Sequence, residues 1–193
     1  MNRSTRDKFT ALTSQDLTTG NSCLETPPAV FKKLNVDFGP FDVDLTADQA
    51  RHLCPTWFGP GSPFAENALT ALWMTHGKNG YSNPPYGPFV PLILEKAKHE
   101  AKMGFRSTFL IPLRITLAFR RHVLKGASEL LFCDKRIAFW ENGAPRLNQD
   151  PQSKTFGKTA GALFDSIIVR YEPGIRFSSP KLGVWEVPPR SYV

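Results

Sequence analysis

Cysteine is scarce in this sequence and long apolar runs are missing, and each shortage excludes a class of protein. Three cysteines stand far apart among 193 residues, which argues against a disulfide framework and for a reducing compartment. No stretch approaches the roughly 18 apolar residues of a membrane-spanning helix, and the polar first residues lack the apolar core of a secretory signal. The histidines and cysteines show no zinc-ligand spacing. We therefore expect a cytoplasmic protein with no membrane and no metal partner.

Basic side chains outnumber acidic ones. The chain has 24 Lys and Arg residues against 17 Asp and Glu, a net charge of +7, which favours an anionic partner, nucleic acid first. The length fits one domain with a full core. Composition shifts predict a flexible arm over 1–24, a folded domain over 25–172 and a surface tail over 173–193. The oligomeric state stays open.

Apolar patterns typical of strands alternate with patterns typical of helices along the domain. This rhythm predicts an α/β fold whose central sheet is mostly parallel, with an antiparallel pair of late strands at one edge. Thr26 is expected to cap the first helix and Pro27 to stand in its first turn. Later in the chain, a long polar loop over 142–162 interrupts the alternation of helices and strands. The predicted elements are, in chain order, helix 27–35, strand 41–45, a strand through residue 81, helix 90–102, strand 108–111, helix 117–124, strands 129–133 and 137–140, and strand 166–171.

Asn83-Pro84-Pro85-Tyr86, here called the NPPY loop, is the most informative motif. It stands between a predicted strand and a predicted helix, and ligands of open α/β sheets bind beyond the carboxyl ends of the strands. Two consecutive prolines do not fit inside a helix or a sheet ladder, so they fix a rigid, extended loop. A rigid turn that merely exposes a tyrosine is the alternative interpretation, and it predicts a loop away from any cavity.

The chemistry that suits this loop is methyl transfer to a planar amino nitrogen. Such a nitrogen is a poor nucleophile because its lone pair is delocalised into the neighbouring ring or carbonyl. The side-chain oxygen of Asn83 and the carbonyl of Pro84 can accept its two hydrogens, which favours a pyramidal nitrogen with a free lone pair, and Pro85 helps to hold both oxygens in place. The ring of Tyr86 can stack on the target. The methyl donor would be a sulfonium, S-adenosylmethionine, and no metal is required.

Asn-Pro-Pro-Tyr is the signature of amino-methyltransferases that act on adenine N6, cytosine N4 or a protein glutamine, and the wider sequence resembles the phage-type DNA N-6-adenine-methyltransferases, the Dam-like family. The likeness covers about residues 25–172. It implies a Rossmann-like, S-adenosylmethionine-dependent methyltransferase fold, DNA as the substrate and, if a phage encodes the protein, the host cytoplasm as its location. Besides the NPPY loop, the motifs that carry the likeness are Thr26-Pro27, Phe41 to Asp44, Asn67 to Trp73, Leu110 to Arg114 and Lys135 to Phe139.

The resemblance also implies where the cofactor binds. The implied positions are Thr26, Pro27 and Asp44, with Asn67 as a further family position. Asp42 and Asp44 can contact a cofactor amine or ribose, or they are solvated carboxylates at a strand end. The cations expected to meet DNA phosphates, unless they are simply solvated, are Arg114, Lys135, Arg136 and Lys158.

The sequence thus predicts a site-specific DNA methyltransferase that transfers a methyl group from S-adenosylmethionine to adenine N6. A base inside a duplex is out of reach, so the enzyme is expected to extrude it. Adenine is preferred to cytosine only through the resemblance, because the chemistry of the loop fits both. Two other functions stay open: a protein-glutamine N5 methyltransferase, and a non-catalytic nucleic-acid-binding protein on the same scaffold.

Overall fold

A seven-stranded sheet with helical segments beside it forms the body of the protein. The structure is a computed structural model that describes residues 24–174 and 179–189, so all of the predicted arm except its last residue lies outside the described residues. The elements are helices α1 (Pro28–Phe38) and α2 (Phe89–Lys102), a 3₁₀ turn (Trp73–Thr75), a π-helical segment (Phe119–Leu124), and strands β1 (Val43–Asp44), β2 (Thr56–Trp57), β3 (Asn79–Ser82), β4 (Arg106–Pro112), β5 (Glu129–Cys133), β6 (Trp140–Glu141), β7 (Ala144–Pro145), β8 (Ser166–Tyr171) and β9 (Lys181–Trp185).

The strand order in the sheet is β2-β1-β3-β4-β8-β5-β9. Every pairing in it is parallel except the two made by β8, which runs antiparallel to β4 and to β5. The predicted mostly parallel sheet is confirmed. The antiparallel strand differs from the prediction in its position, because it lies inside the sheet between β4 and β5, whereas the edge strand β9 is parallel to its neighbour.

The predicted strand over 137–140 is wrong except at its last residue. Trp140 begins β6, which pairs with β7 in a separate two-stranded hairpin. Ile137 and Phe139 are apolar because they fill the core from an irregular segment, at 1% and 2% exposure. Both edges of β5 are already occupied by β8 and β9, so no ladder is open to this segment. The antiparallel partner of β5 is therefore β8.

Alternate residues of β4 face the two sides of the sheet. Phe109 and Ile111 pack in the same cluster as α2, and Leu110 packs on the other side with α1. α2 begins one residue before the predicted helix, and it ends before Gly104, whose φ of 107° suits glycine. The predicted amphipathic helix and the predicted buried strand are thus confirmed, and the sheet is covered by apolar side chains on both faces.

The first helix begins one residue later than predicted and without the predicted cap. Pro27 stands at the N-cap position, Pro28 in the first turn, and no side chain caps the helix. Thr26 instead shares a hydrogen bond of 2.7 Å with the hydroxyl of Tyr81. Tyr81 is buried at 1% exposure, and a buried phenol needs a polar partner, which explains why the hydroxyl of Thr26 turns to it.

The chain after residue 173 contributes to the sheet, which corrects the prediction of a tail confined to the surface. Residues 181–185 form β9, paired in parallel with β5. Trp185, at the end of this strand, is only 4% exposed and donates a hydrogen bond of 2.7 Å to the carboxylate of Asp37 on α1. The other domain boundaries stay predictions.

We predict that Trp185→Ala lowers the free energy of unfolding by about 3–5 kcal/mol, the usual cost of truncating a buried tryptophan. The matched change is Val184→Ala on the same strand, where the side chain is 70% exposed, and it should cost less than about 0.5 kcal/mol. Denaturant-induced unfolding of both variants measures the difference. Equal losses in the two variants would show that β9 does not anchor the fold through Trp185.

Candidate active site

The NPPY loop leaves the carboxyl end of β3, the strand between β1 and β4. Pro84 is buried, and Asn83 and Pro85 are half-buried. Because β1 and β3 are parallel, with Asp44 in register with Tyr81, their carboxyl ends meet at the same edge of the sheet. The loop and the end of β1 are therefore neighbours.

A cleft of about 1000 Å³ opens at this edge of the sheet. Ligand pockets commonly measure about 300–1,000 Å³, so the cleft has room for a cofactor together with part of a substrate. The NPPY loop is thus not a turn remote from any cavity. The predicted catalytic and cofactor residues that line the cleft are Thr26, Asp44, Asn67, Asn83, Pro84 and Pro85.

The side-chain amide of Asn83 is held in one orientation. Its Nδ2 donates a hydrogen bond of 2.8 Å to the carbonyl of Leu24, and its Oδ1 accepts one of 3.0 Å from the hydroxyl of Tyr86. A carbonyl only accepts, so the nitrogen must face Leu24 and the oxygen must face the other way. The carbonyl of Pro84 accepts no hydrogen bond from the described residues. Both oxygens retain a lone pair for a ligand.

The ring of Tyr86 is packed away from the cleft. It is 8% exposed and does not belong to the cleft lining. Phe164 and Phe139 meet it edge to face, with ring centroids 5.4 and 6.4 Å away. Burial raises the pKa of the phenol well above its ordinary value, so the hydroxyl stays protonated and donates to Asn83.

Asp44 places a buried carboxyl group at the cleft. It is 3% exposed, and its two oxygens accept hydrogen bonds from the backbone amides of Thr46, at 3.4 Å, and Leu53, at 3.1 Å. Burial raises the pKa of Asp44 to about 6, although these two hydrogen bonds oppose the shift. A group of this kind accepts hydrogen bonds from the hydroxyls or amines of a ligand.

The other predicted cofactor residues in the lining also have partners within the protein. Asn67 accepts a hydrogen bond of 2.8 Å from the backbone amide of Leu69 through Oδ1. Thr26 is bonded to Tyr81, as described above. Glu66 lies beside Asn67 in the lining, is exposed, and was not among the predicted site residues. The sequence signal for Glu66 was an acidic side chain next to Asn67, a position implied by the family resemblance.

Two predicted cofactor residues lie elsewhere. Asp42 precedes β1, at the amino ends of the strands, where its carboxylate accepts hydrogen bonds of 2.8 and 3.0 Å from the backbone amides of Lys78 and Asn79. Asp44 lines the cleft and Asp42 does not, so the two carboxyl groups do not share that site. Pro27 lines a second, smaller cavity of about 320 Å³.

The predicted DNA-contacting cations are exposed. Lys135 and Arg136 line the smaller cavity, and Arg136 pairs with Asp165 at 3.1 Å. Arg114 follows β4 at the carboxyl edge of the sheet, close enough to Tyr86 to lower the pKa of the phenol against the larger effect of burial. Lys158 lies in the loop over 142–162.

Sequence reasoning missed the hairpin of β6 and β7, which contributes Trp140, Asn142 and Gly143 to the cleft. Asn142 and Gly143 form its turn with φ of 53° and 75°, the geometry that a two-residue hairpin turn requires. The hairpin is fastened to Glu25, whose carboxylate accepts a hydrogen bond of 3.0 Å from the backbone amide of Gly143. An Asn-Gly pair within a predicted long loop was the sequence signal for it.

Within residues 24–174 and 179–189, no helix is long and apolar enough to cross a membrane. The same ranges contain no group of three or more His, Cys, Asp and Glu side chains that could hold a metal ion.

The described part of the chain defines a mixed α/β protein with an open cleft at the carboxyl ends of a mostly parallel sheet. Residues 14–171 match the family model described as DNA N-6-adenine-methyltransferase (Dam). The match spans most of the chain, so the protein belongs to this family of methyltransferases, and the family resemblance noted in the sequence is confirmed. No curated protein matches the chain, and no solved structure matches it.

Asp44→Asn tests the buried carboxyl at the cleft. The pKa of Asp44 is about 6 in the folded protein against an ordinary value of 3.8, so its contribution to stability is fully present below pH 3.8 and is lost as the pH rises through 6. Between pH 4 and pH 7, the free energy of unfolding of the wild type should therefore fall by about 2–3 kcal/mol relative to that of the variant. Denaturant titrations across this range measure it, and a difference that is independent of pH contradicts the prediction.

Proposed function

We propose that the protein is a DNA methyltransferase that transfers a methyl group from S-adenosylmethionine to the N6 amine of adenine, on a Rossmann-like methyltransferase fold. The observation that carries the proposal is the position of the NPPY loop in the cleft wall, with the amide of Asn83 fixed by two hydrogen bonds. Membership of the Dam family supports methyl transfer and favours DNA as the substrate.

The oxygens of the loop activate the amine in this proposal. Asn83 Oδ1 and the Pro84 carbonyl accept its two N–H bonds, which favours a pyramidal nitrogen whose lone pair is free to attack. As the nitrogen–carbon bond forms, the carbon–sulfur bond of the sulfonium would break and leave its electron pair on sulfur, giving the neutral thioether. The nitrogen would then carry a positive charge, which the same two oxygens stabilise until one N–H proton is released to water. S-adenosylmethionine supplies the electrophilic methyl group when it is bound.

The prolines keep these two oxygens in position before the substrate arrives. Each ring fixes its own φ, and the residue before a proline is restricted to extended conformations. Pro84 is buried, which restricts the loop further. Little reorganisation is then needed in the transition state, and preorganised dipoles of this kind lower barriers most effectively where water is excluded.

The cleft fits the chemistry of the cofactor. S-adenosylmethionine offers hydrogen-bond donors, namely an ammonium group, two ribose hydroxyls and an adenine amine, and the lining supplies acceptors. We assign the carboxyl group of Asp44 and the side chains of Glu66 and Asn67 to its binding, because all three line the cleft beside the NPPY loop. Among the described residues, the hydrogen-bond partners of the two Asp44 oxygens are backbone amides, which leaves acceptor capacity for a ligand.

The DNA must deliver its base out of the stack, because an amine inside a duplex does not reach a cleft. Phosphate contacts position the duplex for this step, and the exposed cations Arg114, Lys135, Arg136 and Lys158 are the side chains we assign to them. The net charge of +7 provides a general attraction for DNA as well.

We predict that the purified protein transfers labelled methyl groups from S-adenosylmethionine to unmethylated genomic DNA, and that nuclease digestion releases the label as N6-methyladenine. Asn83→Ala should lower kcat by about 100-fold or more, since removing one preorganised polar group costs roughly 10²–10³ in rate. Asn83→Gln should lose a similar factor, because the extra methylene displaces the oxygen.

The variants are informative only if they fold and bind, so their melting temperatures and their affinities for DNA serve as controls. N4-methylcytosine as the product would overturn the choice of base. Label that protease but not nuclease releases would establish a protein substrate, and the absence both of transfer and of cofactor binding by calorimetry would favour a non-catalytic nucleic-acid-binding protein.

We predict that Lys135→Ala weakens binding to a duplex of mixed sequence and lowers the slope of log K against log salt by about 1, because one phosphate contact is lost. Lys78→Ala is the matched control, since this exposed lysine lies at the amino ends of the strands, away from the cleft. Fluorescence anisotropy at several salt concentrations measures both. An unchanged slope for Lys135→Ala would show that Lys135 does not contact the DNA.

A further inference from the structure

The smaller cavity of about 320 Å³ lies beside the cleft, and the proposed methyl transfer makes no use of it. Pro28 and Trp140 belong to the lining of both, so the two cavities share a wall. Its volume is at the lower end of the usual range for ligand sites, which leaves room for one small ligand. The smaller cavity thus extends the space that the cleft offers to a substrate.

The smaller cavity lies at the same edge of the sheet as the NPPY loop. β8 runs antiparallel to β4 and to β5, so β5 points in the same direction as β4 and β3. Lys135, Arg136 and Ala138, which line the cavity, follow the carboxyl end of β5, as the NPPY loop follows the carboxyl end of β3. A polymer that reaches the cleft therefore also comes close to the smaller cavity.

The walls of the smaller cavity come mainly from the start of α1, from the turn after β5 and from the chain after β9. The last two are joined, because the carboxylate of Asp134 accepts a hydrogen bond of 2.8 Å from the backbone amide of Val187. Just before α1, the backbone of Glu25 pairs with that of Trp140. Five of the lining residues are prolines, whose rings fix their φ angles. The cavity is therefore formed before a ligand arrives.

The lining of the smaller cavity combines apolar walls with positive charge. Among the described residues it contains two cations, Lys135 and Arg136, and no carboxylate. Lys135 is exposed and has no ion-pair partner within residues 24–174 and 179–189. Arg136 pairs with Asp165 through Nε, which leaves its terminal nitrogens as donors. This combination suits a ligand that joins an anionic group to an apolar ring, and a nucleotide has that chemistry.

We propose that the smaller cavity binds a second nucleotide of the substrate DNA, a neighbour of the target adenine in the same strand, with its base inside the cavity and its phosphate at Lys135 and Arg136. The proposal rests on the proposed function, because that function makes DNA the polymer that enters the cleft. Contacts to bases distinguish one sequence from another, whereas contacts to phosphates do not. The cavity then contributes to the sequence preference of the enzyme.

Filling the cavity tests this role. Ala138→Leu enlarges a half-buried side chain of the lining, so it should weaken binding of a labelled single-stranded oligodeoxynucleotide of mixed sequence by about fivefold or more. The matched control is Ala144→Leu, the same substitution at an exposed position that lines neither cavity, and it should stay within about twofold of the wild type. Fluorescence anisotropy measures both affinities, and equal affinities of the two variants overturn the proposal.

The salt dependence of binding separates a base inside the cavity from a phosphate at its rim. Ala138→Leu should leave the slope of log K against log salt unchanged, because no phosphate contact is lost. Lys135→Ala should lower that slope by about 0.7 on the same single strand. An equal fall of the slope in both variants would show that Ala138→Leu acts by displacing Lys135, and it overturns the placement of the base.

Ala29→Leu repeats the test from the opposite wall. Ala29 is half-buried in the first turn of α1 and lines the smaller cavity but not the cleft. The variant should weaken oligonucleotide binding as Ala138→Leu does, and the melting temperatures of both are compared with that of the wild type. If one of the two variants unfolds, the other decides, and undiminished binding in a folded variant overturns the proposal.

Mapping of methylated bases keeps this inference separate from the proposed function. In DNA from hosts that express the wild type or Ala138→Leu, the base preference at one position next to the methylated adenine should differ between the two. Identical sequence contexts in the two hosts overturn the role of the cavity alone. A wild type that methylates no DNA, with binding still weakened by Ala138→Leu, overturns the proposed function alone.

Discussion

The parallel pairing of β1 with β3 is the constraint on which the rest of the site depends. It sets Asp44 in register with Tyr81, so the buried carboxyl group and the NPPY loop emerge at one edge of the sheet. The core allows little freedom here, because a Cβ at Gly80 in β3 would lie 2.9 Å from the side chains of Leu45 and Phe105. A strand packed this closely delivers its loop to one position, which is what preorganised catalysis requires.

The short segment before α1 joins the parts of the cleft to one another. Leu24 accepts the hydrogen bond that orients Asn83, Glu25 fastens the hairpin through its backbone and its carboxylate, and Thr26 bonds to the buried Tyr81. Three consecutive residues therefore join β3 and its NPPY loop to the hairpin. A shift of this segment would move the amide of Asn83 and the hairpin together, so the segment couples the position of the NPPY loop to the shape of the cleft.

The sequence predicted the features that depend on local patterns of residues. Its predictions failed where the pairing of distant strands determines the structure. The helix over 90–102, the strand over 108–111 and the position of the NPPY loop follow from apolar periodicity and proline geometry. The strand over 137–140 was wrong because an apolar run is equally compatible with buried, irregular chain once β8 and β9 occupy the edges of β5. The alternation of apolar and acidic residues over 41–45 gave the same prediction for Asp42 and Asp44. Only the fold shows that Asp42 precedes β1 and Asp44 ends it.

The first and last residues of the NPPY loop, Asn83 and Tyr86, are joined by a hydrogen bond between their side chains, and they differ in burial. A carbonyl oxygen has two lone pairs, and Asn83 Oδ1 gives one of them to Tyr86. The second lone pair is then directed by a hydrogen bond that is shielded from water, because the phenol is buried and its raised pKa keeps it protonated. A hydrogen bond in such surroundings orients its acceptor more firmly than one exposed to solvent. The tyrosine of the motif therefore fixes the direction of the acceptor on Asn83.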